Sequence, residues 1–151
     1  WVNIKWDINW KLLPLELIAV FLWNEIHFYA SHWLLHRKWW FKRVHYMHHR
    51  SATPTPFSTY SFHWMEAVLL GSVMIIPMFF YDFMYATLLL LPVMSIIINT
   101  LGHWNYELFP GNSSKLLTFT SRHSLHHSRV TGNYGFFLPY LDQFLKTESK
   151  T

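Results

Sequence analysis

The sequence contains no cysteine, which excludes disulfides, thiolate iron–sulfur ligation and cysteine catalysis within the chain. Charge is also scarce: only 13% of the 151 residues are Asp, Glu, Lys or Arg, about half the share in soluble domains. A chain of one-domain length has too much surface to present so few charges to water. Internal repeats, low-complexity tracts, flexible linkers and a recognisable signal peptide are missing as well. No nucleic-acid module, flavin fingerprint or haem domain is visible. What the chain has in quantity is apolar surface, with 52% hydrophobic and 20% aromatic residues.

The apolar residues gather in runs. Residues 64–81, WMEAVLLGSVMIIPMFFY, carry a single charge, and 83–101, FMYATLLLLPVMSIIINTL, carry none. At about 1.5 Å per residue each is long enough to cross a hydrocarbon core, and the short connection at Asp82 predicts a tight antiparallel hairpin. A third candidate, residues 12–31, is more polar in its second half, where Asn24, Glu25 and His27 sit. Trp1, Trp6 and Trp10 before it read as an interfacial belt. With three crossings, residues 32–62 and 102–151 share one side. Ten of the twelve Lys and Arg residues fall there, so the positive-inside rule makes that side cytoplasmic. Anionic lipid headgroups account for the net charge of +4 without nucleic acid.

The same threading puts the histidines together. His32 and His36 are spaced i, i+4. His45, His48 and His49 are spaced i, i+3, i+4, and His123, His126 and His127 repeat that pattern. On helices these spacings present one face. His103 stands alone at the end of the third run, while His27 and His63 belong to no box. Imidazoles crowded among Arg and Lys are pushed towards the neutral form, which is the metal-ligating form. Nine ligands exceed one ion's needs and suit two ions with four or five each. Glu25, two helical turns before His32, and Glu107, four residues after His103, are candidates to orient ligand imidazoles and offset the positive charge. All-imidazole sites suit iron, copper, zinc and nickel alike. A site beside the bilayer and lined with aromatics suggests an apolar lipid substrate, and breaking its C–H bonds favours iron, while zinc could occupy a purified sample.

The boxes, with their flanks, resemble the membrane fatty acid hydroxylase and sterol desaturase superfamily. The stretch HHRSATPTPFSTYSFHWMEA (48–67) is similar to the family's segment after its second box, with Trp64 in place of a proline. GHWNYELFP (102–110) resembles the segment bearing the isolated ligand histidine. HHSRVTGNYGFFLPYLDQFLKT (126–147) resembles the family's ending, with Leu141 replacing a Trp. The resemblance covers roughly 20–147 and leans towards the C-5 sterol desaturase-like branch. It implies an all-α integral membrane fold whose transmembrane helices carry a cytoplasmic helical cap with a histidine-rich dimetal site. It also implies two iron ions held by the nine boxed histidines, with dioxygen and two electrons used to hydroxylate or desaturate a lipid. The chain reads as a single domain, 1–151, and a further transmembrane helix is expected upstream of Trp1 because family members commonly have about four spans.

Electrons must come from a separate donor of cytochrome b5, ferredoxin or reductase type, and a bacterial inner membrane or the endoplasmic reticulum fits the membrane expectation. The near alternative is hydroxylation of a sphingoid or other amino-lipid. Readings from other classes are a haem electron carrier and a metal-binding transport protein. The stretch RKWWFKRV (37–44) is expected at the membrane interface, and GFFLPYLDQFL (135–145) beside the substrate route.

Overall fold

A computed structural model describes residues 3–107, 111 and 114–149. Trp1, Lys150 and residues 108–110 of the GHWNYELFP segment lie outside the described residues. Among the described residues the chain is helical, with no named strand and one isolated bridge between Lys5 and Met84.

Helix α1, Leu13–Leu35, is the spine. Pro14 starts it, in the first turn where a missing N–H costs nothing. Its buried residues Leu13, Glu16 and Val20 line one side, and Tyr29, His32 and Leu35 continue inward contacts towards the far end. Buried Glu16 would be expensive alone, but three donors satisfy it. They are Tyr81 Oη at 2.8 Å, Met84 N at 3.1 Å and Thr87 Oγ1 at 2.6 Å. The carboxylate thus fastens the start of α1 to the start of α5, Tyr85–Gly102. Val20, Phe83 and Leu91 form a small core there, with Val73, Met74 and Leu88 packed around it.

The expected hairpin of two continuous spans is corrected by the structure. Residues 64–78 are three short pieces: α3, Trp64–Gly71, a 3-10 turn, Ser72–Met74, and α4, Ile75–Met78. Two local features break the run. The Ser72 hydroxyl donates to Leu69 O at 2.7 Å, and Pro77 has no N–H for the carbonyl four residues back. That carbonyl belongs to Val73, and Trp23 Nε1 of α1 donates to it at 2.6 Å. The break is therefore hydrogen-bonded across to the spine.

One described helix is long and apolar enough to cross a membrane, Tyr85–Gly102. Helix α1 has the length, at 23 residues, but Asn24, Glu25 and His27 dilute it. Apolar side chains nevertheless crowd the exterior. Ile18, Leu22 and Ile26 of α1, and Leu89, Val93 and Ile97 of α5, are exposed. Contiguous exposed apolar faces of this kind fit a lipid surrounding rather than water.

The remaining elements gather at the end of α1 and α5. Helix α2, Lys38–Arg43, has no buried residue, and cations lie over indoles nearby: Arg37 over Trp33 at 3.4 Å and Arg43 over Trp39 at 5.3 Å. A 3-10 turn, His45–Arg50, follows. Helix α6, Phe119–Arg129, packs on α5, and the short α7, Tyr140–Phe144, closes the chain. Trp6 and Trp10, from the expected belt, are both largely exposed.

Candidate metal centre

Four of the elements that meet at this end carry or are capped by histidine. The last turn of α1 supplies His32 and its C-cap His36, the 3-10 turn supplies His45, His48 and His49, the C-cap of α5 is His103, and α6 holds His123, His126 and His127. All nine rings converge in two adjacent groups. Ligand-type nitrogens of His32, His36, His45, His49 and His126 lie within 4.8 Å of one another, as do those of His48, His103, His123 and His127.

The boxes split in a regular way. In each HxxHH box the i, i+4 pair goes to one group and the middle histidine to the other. His45 and His49 join the first group while His48 joins the second. His123 and His127 join the second while His126 joins the first. The two boxes thereby interlock, and His32–His36 and His103 complete the two sets.

Tautomers follow from what lies behind the rings. A carbonyl oxygen can only accept, so each Nδ1 that meets one must carry the proton. His32 Nδ1 donates to Tyr134 O at 2.8 Å, His103 Nδ1 to Asn99 O at 2.8 Å, His126 Nδ1 to Gly132 O at 2.6 Å and His127 Nδ1 to Ser51 O at 3.0 Å. His45 Nδ1 meets Glu66 Oε1 at 2.8 Å. The four carbonyl-bonded rings therefore each turn a bare Nε2 lone pair inward. The inward atoms crowd: His126 Nε2 is 3.2 Å from His49 Nε2, His103 Nε2 is 3.3 Å from His48 Nε2, and His127 Nε2 is 3.1 Å from His123 Nε2. In each pair the first-named Nε2 is a bare acceptor, and its neighbour's Nδ1 has no hydrogen-bond partner. A cation among them turns every one into a ligand bond, so the donor set fits two imidazole-bound transition-metal ions.

Electrostatics point the same way. Burial and neighbouring imidazoles push His36 and His127 down to about 3 and His49 to about 4, and burial takes His103 to about 4. His48, His123 and His126 lie well below the ordinary imidazole value for the same two reasons. The rings are held neutral, as metal ligation requires. His36 Nε2 and the Nδ1 atoms of His48, His49 and His123 are buried without a hydrogen-bond partner.

The carboxylates divide differently from the sequence expectation. Glu66 Oε1 of α3 meets His45 Nδ1, whereas Glu25 Oε2 accepts from Leu138 N at 2.7 Å. Glu25 lies two turns from His32 but faces the C-terminal loop, where Arg122 Nη2 also donates to Phe137 O at 2.7 Å. Glu107 makes no hydrogen bond to an imidazole among the described residues, and its Oε2 is buried without a partner. The signal for Glu66 was available in the HWMEA stretch, three residues after His63, but only the turn of α3 towards the 3-10 turn aims it. The two unboxed histidines stay out of the groups. His63 caps α3, accepting from Met65 N at 3.2 Å, and His27 lines a cavity.

The C-terminal segment acts as a backing plate. Asp142 accepts from Tyr134 N, Gly135 N and Thr147 Oγ1 at 2.7–2.8 Å, which fixes the loop whose Tyr134 carbonyl orients His32. Phe136 packs against His123 with ring centroids 4.9 Å apart. It comes so near the backbone of α5 that a Cβ on Gly102 would fall 2.1 Å from its ring. Residues 135–145, expected beside the substrate route, therefore buttress the rings from behind.

A cavity of about 450 Å³ lies between α1, α3 and α5. It shares Phe28, Phe62, Leu70 and Asn99 with a small pocket bounded by His32, His45, His48, His103 and His123. The histidine groups thus adjoin a largely apolar chamber walled by the three longest apolar segments.

The fatty acid hydroxylase family model matches residues 17–147. The chain belongs to the fatty acid hydroxylase family. Its relatives include a Dictyostelium discoideum protein provisionally named a methylsterol monooxygenase, 32% identical over 141 residues, covering 91% of this chain and 52% of that protein. Methylsterol monooxygenase 2-2 of Arabidopsis thaliana is 29% identical over 146 residues, covering 93% and 54%. A very-long-chain aldehyde decarbonylase of Oryza sativa subsp. japonica is likewise 29% identical, covering 93% and 54%. The chain spans about half the length of these relatives. No solved structure matches it significantly.

Proposed function

We propose that the nine boxed histidines hold two iron ions and that the protein oxidises a C–H bond of a lipid with dioxygen. The observation that carries this reading is the double set of converging Nε2 atoms beside an apolar chamber. In hydroxylation, C–H, O2, two electrons and two protons become C–OH and water. In desaturation, two C–H bonds, O2, two electrons and two protons become C=C and two waters. Bound iron would supply the activation of dioxygen. The chain's own residues would do the rest: carbonyls and Glu66 orient the rings, Phe136 holds α6 against α5, and the chamber receives the lipid away from water. The electrons come from an external donor, and the histidine end faces the cytoplasm. The whole chain acts as one domain.

The chamber lining contains no Asp, Glu, Lys or Arg, which disfavours a charged amino-lipid as substrate relative to a neutral one. A haem carrier needs a flat gap between two rings, and groups of four and five nitrogens within 4.8 Å leave none.

Metal analysis tests the ligand set. The parent should carry two irons per chain, and His48→Ala and His126→Ala should each lower the content, one from each group. Unchanged content in both variants sinks the assignment. Lipid profiling under labelled dioxygen then separates the chemistries, since only hydroxylation leaves label in the lipid.

A further inference from the structure

Apart from the exposed Tyr60, the polar side chains of the chamber are not scattered, and their placement bears on which lipid it takes. The inference rests on the lipid-oxidation reading above. On α5, Ser95 and Asn99 precede His103 by eight and four residues, and on α1, Asn24 and His27 precede His32 by eight and five. At about 1.5 Å per residue, all four stand roughly 6 to 12 Å from the histidine level. Farther along, the wall is Val73, Met74, Leu88 and Leu91. The chamber therefore has a polar belt near the histidines and an apolar remainder.

Polar groups in apolar helical segments are costly without partners, and such residues mark function. Two of the four are occupied locally: Asn99 Nδ2 donates to Ser95 O at 2.7 Å and to Ser95 Oγ at 3.1 Å. The Asn24 side chain makes no hydrogen bond among the described residues. His27 meets Ser72 Oγ at a long 3.4 Å, and that hydroxyl already donates to Leu69 O at 2.7 Å. One amide and at least one ring nitrogen thus remain for a ligand.

We propose that Asn24 and His27 form a polar station that selects lipids bearing an uncharged hydroxyl. The hydroxyl sits nearer the histidines, and the hydrocarbon runs on past Leu88 and Leu91. The amide offers donors and an acceptor, so it serves both the hydrogen and the oxygen of an alcohol. A free carboxylate or phosphate finds no cation in the lining. A site built to hydrogen-bond a hydroxyl rejects the analogue that lacks it, because its own polar groups are then left unpaired.

The test uses the full chain in phosphatidylcholine nanodiscs and a photoreactive hexadecan-1-ol with a mid-chain diazirine. Unlabelled hexadecan-1-ol and 1-methoxyhexadecane compete with it, and crosslinks are mapped by mass spectrometry. Crosslinks should fall on α3 and α5 around Met74, Leu88 and Leu91. The alcohol should displace the probe at about tenfold lower concentration than the ether, the loss expected for one donated hydrogen bond. Asn24→Leu with His27→Leu should bring the two competitors within about twofold, and the milder Asn24→Ala should narrow the gap part-way. Equal potency in the parent, or an unchanged preference in a folded variant, overturns the station and leaves the lipid reading standing. A probe that labels no residue of the chamber overturns both.

Discussion

At the residue scale, the imidazole tautomers are set from behind. Glu66 is the one side-chain carboxylate that holds a boxed histidine among the described residues, at 2.8 Å from His45 Nδ1. Glu66→Gln keeps the shape but removes the carboxyl group from His45 Nδ1. It should weaken metal retention in the first group by about 10- to 100-fold, read by chelator competition, and leave His48 and its group nearly unaffected. Equal retention in parent and variant would refute the role. Gly102 is the other single-atom constraint. A Cβ there would overlap Phe136, whose ring is held among Phe28 and His123, so Gly102→Ala should cost about 1–3 kcal/mol, seen as a lower melting temperature. Legibility at this scale was uneven. The nine histidines stood out because their spacings repeat. The partners behind the rings did not, because four of the five named contacts use backbone carbonyls, which any residue could provide.

At the element scale, the important feature is the interruption of 64–78. Residue composition promised a continuous span, yet Ser72 and Pro77 divide it, and Trp23 takes the carbonyl that Pro77 leaves free. Trp23→Phe keeps the ring and removes the donor. It should destabilise the fold by about 1 kcal/mol, the usual net worth of one hydrogen bond, and a denaturation midpoint measures it. Pro77 was visible in the sequence, but its consequence depended on a partner 50 residues away. Helix α1 shows the opposite case. Its extent was close to the expected 12–31, and it runs on to Leu35 so that His32 lies within the same rigid rod as the apolar segment.

At the scale of the whole molecule, two predictions concern pH and sidedness. A histidine held below its ordinary pKa stays neutral in the folded chain, while the same residue in the unfolded chain protonates near about 6.5. The unfolded state then binds more protons, so the stability of the metal-free protein is fullest above that pH. It falls as the pH drops from about 6.5 towards 4, where His49 and His103 begin to protonate in place. Iron loading should shift that loss to lower pH, since metal and proton compete for the same Nε2 atoms. Melting curves across pH with and without iron check it, and a flat profile contradicts it. Sidedness can be read directly because the chain has no cysteine. Tyr46, 56% exposed on the histidine-bearing 3-10 turn, is a suitable label site. In inverted bacterial membrane vesicles, Tyr46→Cys should react with a membrane-impermeant maleimide, and in right-side-out vesicles it should not. The reverse pattern would place the histidines on the other face.

The sequence by itself determined which side chains are able to ligate a metal and how apolar the chain is. Imidazole spacing and the scarcity of charge are local properties, readable wherever the chain happens to fold. Only the tertiary structure decided how the boxes interlock, sending His48 and His126 to the groups opposite their neighbours. The same holds for Glu66: it, Glu25 and Glu107 all lie near histidines along the chain, and only Glu66 meets an imidazole among the described residues. Which carboxylate meets an imidazole depends on the direction in which α1, α3 and α5 converge, and sequence distance carries no record of that.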